Sequence, residues 1–176
     1  ADSVSEDAQA IGAANTLVKE ANGLIAADNT DVYGFEYLVK SLKISLNQKK
    51  AIVLGAFGGA GQAVCYALKK GGAYVVGVSR KPQVSSTCVD CAITYDQIKH
   101  HYDADLLVNA TPVGMSPHAG ISPLTKEELA SFMSPQCVID LIYNPLRSQL
   151  LLDAESLGIL SANGLKMLVA QAAKAS

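Results

Sequence analysis

The stretch AIVLGAFGGAGQAVCYALKKGG (51–72) decides the fold. An apolar run leads into the glycine-rich turn LGAFGGAGQAV (54–64) and then into an amphipathic segment closed by Gly71-Gly72. That is the strand–turn–helix order of a nucleotide-binding βα unit. Glycines in such a turn permit positive φ and let backbone N–H groups approach a pyrophosphate, whose charge the dipole of the following helix stabilises. The common spacing is G-x-G-x-x-G/A, whereas Gly55, Gly58, Gly59 and Gly61 fall as if Phe57 had been inserted. The bland alternative is a tight βα turn with no ligand.

Working outward, YVVGVS (74–79), DLLVNAT (105–111) and QCVIDLIY (136–143) repeat the pattern of short, nearly continuous Val/Ile/Leu runs, as expected of parallel strands buried on both faces. Helical spacing appears in LTKEELASFM (124–133) and SQLLLDAESLG (148–158), ending near Phe132 and Gly158. In the terminal segment NGLKMLVAQAAKAS it places Leu165, Leu168, Val169 and Ala172 on one stripe. The fold class predicted is α/β, a Rossmann-like doubly wound parallel sheet. Residues 1–48 read differently. TLVKEANGLIAADNTD gives two short strands about an Asn22-Gly23 turn, then a helix from about Asp31 to Ser45 with Phe35, Leu38, Val39 and Leu42 inward. This reads as the tail of another, smaller α/β domain, with residues 1–46 belonging to it and 47–176 forming the sheet domain.

Composition excludes several function classes. Of 176 residues, 49% are hydrophobic and 17% charged, enough apolar material for a core. With 14 Lys and Arg against 16 Asp and Glu there is no electrostatic footprint for nucleic acid. No apolar run is long enough to span a membrane. Four cysteines are too few for a disulfide scaffold. They point to a reducing, cytoplasmic setting, with Cys65 and Cys137 as small core hydrophobes. Cys88 and Cys91 form a lone C-x-x-C with no second ligand pair, so no metal site is expected. His100, His101 and His118 lie in polar surroundings and are assigned to the surface.

Four further segments carry candidate chemistry. At the end of the second strand, where an NAD-binding fold places an acidic residue for the ribose, stands Ser79-Arg80-Lys81, which offers a hydroxyl and two cations to a 2′-phosphate and favours NADP. Taken alone, it is a solvated basic pair. In VNATPVGMSP (108–117), Asn109, Thr111 and Met115 fall at the carboxyl end of a strand, placed to line the nicotinamide side, or else simply end the strand in a turn. DLIYNP (140–145) presents Tyr143 in the same geometry, the rival reading being a core aromatic. Asp31 begins a helix and in isolation reads as an N-cap.

In order and spacing, IGAANT (11–16), DNTDVYGF (28–35), LGAFGGAGQA (54–63), NATPVGM (109–115), DLIYNP (140–145) and NGLKMLVAQAA (163–173) resemble the shikimate dehydrogenase family. The resemblance implies a two-domain enzyme that reduces 3-dehydroshikimate to shikimate with NADPH in the route to chorismate and the aromatic amino acids. It further implies substrate contacts at Asn15, Asp31, Tyr143 and Gln171, with Asp31 as the catalytic carboxylate of a Lys–Asp pair. Cofactor contacts are implied at Gly55, Ala56, Gly58, Gly59, Ala60, Ser79, Arg80, Lys81, Asn109, Thr111, Leu141 and Gly164. In the family pattern the lysine and the paired serines that hold the substrate carboxylate fall before Ala1. The chain is therefore expected to be an inactive piece of a longer protein, a bifunctional dehydroquinate dehydratase–shikimate dehydrogenase being one such form, and the preceding segment is its expected partner. Quinate as substrate and a non-catalytic NADP-binding module are the alternatives.

Overall fold

In the computed structural model, residues 1–82, 87–133 and 135–175 are described. The glycine-rich stretch folds as strand β4 (Lys50–Leu54), a turn, and helix α3 (Gly59–Lys70). Gly58 occupies the N-cap position of α3, and Lys69 and Lys70 complement the dipole at its far end. Gly72, at φ +87°, reverses the chain into strand β5 (Tyr74–Val78).

Six parallel strands form the main sheet in the order β6-β5-β4-β7-β8-β9, where β6 is Cys91–Ile93, β7 Leu106–Asn109, β8 Cys137–Asp140 and β9 Ser161–Asn163. This is the doubly wound, Rossmann-like arrangement. The order reverses between β4 and β7, the switch point beside which such sheets bind ligands. Side chains alternate across the sheet. Ala51 and Val53 face one core with Val75, Leu106, Val108, Cys137 and Ile139, while Ile52 and Leu54 face the other with Val76, Val78, Leu107 and Val138. Because both faces are covered, the strands read as continuous apolar runs.

The first face is covered by α3, by α2 (Thr30–Ser41) and by Met167 of α6 (Leu165–Ala175). The second is covered by a 3₁₀ helix (Tyr95–His101), α4 (Lys126–Ala130) and α5 (Gln149–Ser156). Ahead of them, β1 (Ser3–Val4), α1 (Glu6–Ile11), β2 (Thr16–Lys19) and β3 (Ile25–Asp28) build a three-stranded sheet, order β1-β3-β2, with β2 and β3 joined antiparallel through the Asn22-Gly23 turn.

Three expectations are corrected. The helix expected from about Asp31 to Ser45 is α2, Thr30–Ser41, and ends earlier: Lys43, at φ +57°, turns the chain out of it. The helix expected over 124–133 keeps only its capped centre, where Thr125 and Glu128 form a capping box. The stripe on α6 is also wrong. Met167 and Ala170 are buried, while Leu165 and Val169 are 41% and 60% exposed. The reason is Gly34. A Cβ there would lie 2.7 Å from the Met167 carbonyl oxygen, so α2 and α6 meet backbone to backbone, and this contact, not the Leu/Val stripe, sets the rotation of α6. Ser176, also included in the expected terminal helix, lies outside the described residues.

Among the described residues no helix is long and apolar enough to cross a membrane. Among the described residues no cysteine forms a disulfide, and burial pushes the Cys65 and Cys137 thiols up, which keeps them protonated and inert. Gly164 sits where a Cβ would lie 1.9 Å from the Leu141 carbonyl oxygen. Gly164→Ala should therefore force β8 and the start of α6 apart and cost about 1–3 kcal/mol or more by denaturant unfolding. An unchanged midpoint would show that this contact relaxes freely.

Candidate functional site

A cavity of about 730 Å³ opens beside the glycine turn, at the carboxyl ends of β4, β5 and β7. Its floor is Gly55, Phe57 and Gly58; Ser79, Arg80 and Lys81 form one wall and Ala110–Val113 another. Gly55 adopts φ +76°, open to glycine and strained for other residues, and donates its N–H to Val78 O at 2.9 Å. A Cβ on Gly61 would fall 2.1 Å from the Gly55 carbonyl oxygen, so this glycine lets α3 start directly above the turn. Nothing lies within 4 Å of a Cβ position at Gly59, and the first-turn N–H groups of Gly59 and Ala60 have no intrahelical acceptors. Open backbone donors, a helix N-terminus and two cations are the donor set a dinucleotide requires.

Phe57 does not project across this cradle. A Cβ at Gly77 of β5 would come within 3.3 Å of Phe57 Cζ, which places the ring over Gly77, packed against the core. The inserted residue is absorbed by a glycine in the neighbouring strand. Arg80 and Lys81 are exposed and form no ion pair among the described residues, while Ser79 Oγ accepts the Lys81 N–H at 3.2 Å. Tyr95, which the sequence reading missed, also lines the cavity. Burial raises its hydroxyl pKa and the nearby Arg80 charge opposes the shift. No local pattern marks Tyr95, because β5 and β6 bring it in from a separate segment.

Not every expected cofactor residue reaches the cavity. Thr111 lines it, on the wall opposite Ser79–Lys81. Asn109 is fully buried and Met115, 43% exposed, is not among the lining residues. Ala56 is buried beneath the turn, Gly59 and Ala60 stand in the first turn of α3 and are not among the lining residues, and Leu141 and Gly164 pack on one another outside the lining. His101 is half-buried, with its Nδ1 enclosed and unpartnered among the described residues, contrary to a surface position; His100 and His118 are exposed.

A second cluster gathers where α2 begins. Asn29, not Asp31, is the N-cap: its side chain accepts the Asp31 N–H at 3.1 Å and donates to Ala13 O at 3.0 Å. The Asp31 carboxylate is thereby left free of capping. Burial raises its pKa, and a hydrogen bond from the Asn15 side chain partly offsets the shift. Asn15 Oδ1 accepts the Thr30 N–H at 2.9 Å, and Thr30 Oγ1 lies 3.1 Å from Gln171 Oε1. Asn15, Asp31 and Gln171, from three separate segments, thus meet around the buried Thr30, whose role the sequence did not signal. Tyr143 is 46% exposed on the loop after β8 and makes no hydrogen bond to this cluster.

Comparison with known proteins places the chain as a whole among its relatives. Over 99% of its length the chain is 39% identical to a shikimate dehydrogenase (NADP(+)) from Caldanaerobacter subterraneus subsp. tengcongensis. The homologues of this chain are shikimate dehydrogenases. A chorismate mutase/shikimate 5-dehydrogenase fusion protein from Clostridium acetobutylicum superimposes at TM-score 0.85 with 37% identity, covering 98% of this chain and 61% of that one. Shikimate 5-dehydrogenase from Thermus thermophilus, solved with NADP(H) and shikimate, gives TM-score 0.82 and 36% identity over 99% of this chain and 64% of that one. The chain spans 64% of the length of the Caldanaerobacter relative. No family model matches it.

The pKa of Asp31 yields a test. A native pKa above the unfolded value means that the folded state binds this proton more tightly, so stability declines as pH rises from the ordinary carboxylate range through the raised native value. Asp31→Asn should raise the melting temperature at neutral pH, and the gap to the wild type should close below the ordinary carboxylate pKa. Equal melting temperatures at neutral pH would show that the charge carries no stability cost.

Proposed function

We propose that the chain is the NADP-binding part of a shikimate dehydrogenase, together with the tail of its substrate domain, residues 1–46. The observation that carries the reading is the cavity itself: a glycine turn and helix N-terminus on its floor and, on one wall, two cations unpaired among the described residues. NADPH, when bound, supplies the hydride for reduction of a carbonyl such as that of 3-dehydroshikimate. The protein's own groups would do the rest. Gly58 in the cavity, with Gly59 and Ala60 beside it in the first turn of α3, would present N–H donors to the pyrophosphate, and Ser79, Arg80 and Lys81 would take the 2′-phosphate.

Asp31 handles the proton at the substrate hydroxyl. A raised pKa suits that work, because the group can hold and release a proton closer to neutrality than an ordinary carboxylate. Asn15 orients it, and Gln171 and Tyr143 are the proposed contacts to the substrate's other oxygens. The chain would act together with the further segment present in its longer relatives, in the cytoplasm, where its thiols stay reduced.

Fluorescence titration of the purified chain with NADPH and with NADH tests this. NADPH should bind the more tightly, and Arg80→Ala should weaken NADPH about tenfold or more while barely changing NADH. Binding of neither nucleotide would sink the cofactor reading.

A further inference from the structure

One buried polar assembly has no part in the contacts proposed above. Asp140 ends β8, Asn109 ends β7 beside it, and both are fully buried. Asp140 Oδ1 accepts hydrogen bonds from Asn109 Nδ2 at 3.0 Å and from the Ile142 N–H at 3.1 Å, while Oδ2 accepts from the Ser148 hydroxyl, itself the N-cap of α5. On its other side, Asn109 Oδ1 accepts the Thr111 N–H at 3.0 Å and the Thr111 hydroxyl at 2.7 Å. Thr111 Oγ1 in turn accepts the Val113 N–H at 3.2 Å.

The direction of this chain is dictated by charge. An amide has a donor end and an acceptor end, whereas a carboxylate only accepts. Asp140, with the Val113 carbonyl as a second and longer acceptor for Nδ2 at 3.5 Å, therefore holds the NH₂ of Asn109 toward β8 and its oxygen toward Thr111. With a neutral amide at 140 the Asn109 side chain could reverse, and both Thr111 donors would then face a donor.

We propose that Asp140, acting through the enforced orientation of Asn109, is a positioning residue that fixes Thr111 and the Ala110–Val113 wall of the cavity opposite Arg80. This rests on reading the cavity as the cofactor site, and it assigns to Asn109 a role other than touching the cofactor.

Two independent measurements test it. By amide hydrogen exchange, Asp140→Asn should speed exchange at Thr111 and Val113 about tenfold or more. Ala110, bonded to Leu54 O, and Leu141, bonded to Asn109 O, should stay protected. Unchanged protection at Thr111 and Val113 would overturn the proposal whether or not a nucleotide binds. By titration, Asp140→Asn should weaken NADPH and adenosine 2′,5′-bisphosphate by a similar factor of about ten. Adding Thr111→Val should then weaken them little further, because both changes break one chain of bonds. Additive losses, or unchanged affinities in the presence of faster exchange, would show a role confined to stability. If Asp140→Asn does not fold, Thr111→Val and Thr111→Ser decide: Val should lose both Val113 protection and affinity, Ser should keep both, and a Val variant indistinguishable from wild type would overturn the proposal. Wild-type chain that binds neither probe refutes the cofactor reading alone, since the exchange arm still reports on the wall.

Discussion

A side chain has no place at residue 61. The Gly55 carbonyl lies 2.1 Å from where a Cβ would stand, and that approach seats the first turn of α3 directly on the end of β4. From it follow the outward-pointing N–H groups, the positive φ of Gly55 and the space between the β5 and β7 loops. What the turn itself presents to the cavity is backbone, set by packing at one contact. The cations at 80 and 81 add charge to a cradle whose shape is already fixed.

One enclosed and one half-buried carboxylate show how differently a single physical penalty can be handled. Burial raises the pKa of both Asp31 and Asp140. Asp140 is surrounded by donors from Asn109, Ile142 and Ser148 and is fully enclosed. Asp31 keeps an exposed side and one side-chain donor, because Asn29 has relieved it of capping the helix. The enclosed carboxylate is a fixture. The half-open one can exchange its proton with whatever lies against it.

Much of the fold was legible because its determinants are local. The strands of the main sheet announce themselves as runs such as Ile52–Leu54 and Val75–Val78, and Asn22-Gly23 marks the hairpin. The rotation of α6 was not legible: Leu165 and Val169 are the more apolar choice, yet Gly34, more than 130 positions away, brings Met167 and Ala170 inward. Helix ends at Ser41 and Ala130 depend on turns and caps that periodicity does not register. In the candidate site, types with an evident chemistry, Asp31, Arg80 and Gly55, could be picked out. Residues that matter through a neighbour could not. Tyr95 arrives by strand pairing, Thr30 by burial between two amides, and nothing local in the sequence shows that Asn109 is fully buried and bonded to Asp140 and Thr111.

The turn carries one residue more than the common spacing, and the ring of Phe57 rests where Gly77 leaves room. Loop and strand are consequently not free to change separately. A side chain at 77 would crowd Val89 Cγ1 at 2.7 Å, Ala56 Cβ at 3.0 Å and the Phe57 ring at 3.3 Å, and a smaller residue at 57 would leave a hollow under the turn. The two positions, twenty residues apart, are packed as one unit, in which the identity of a residue in β5 decides how long a turn the neighbouring strand can carry.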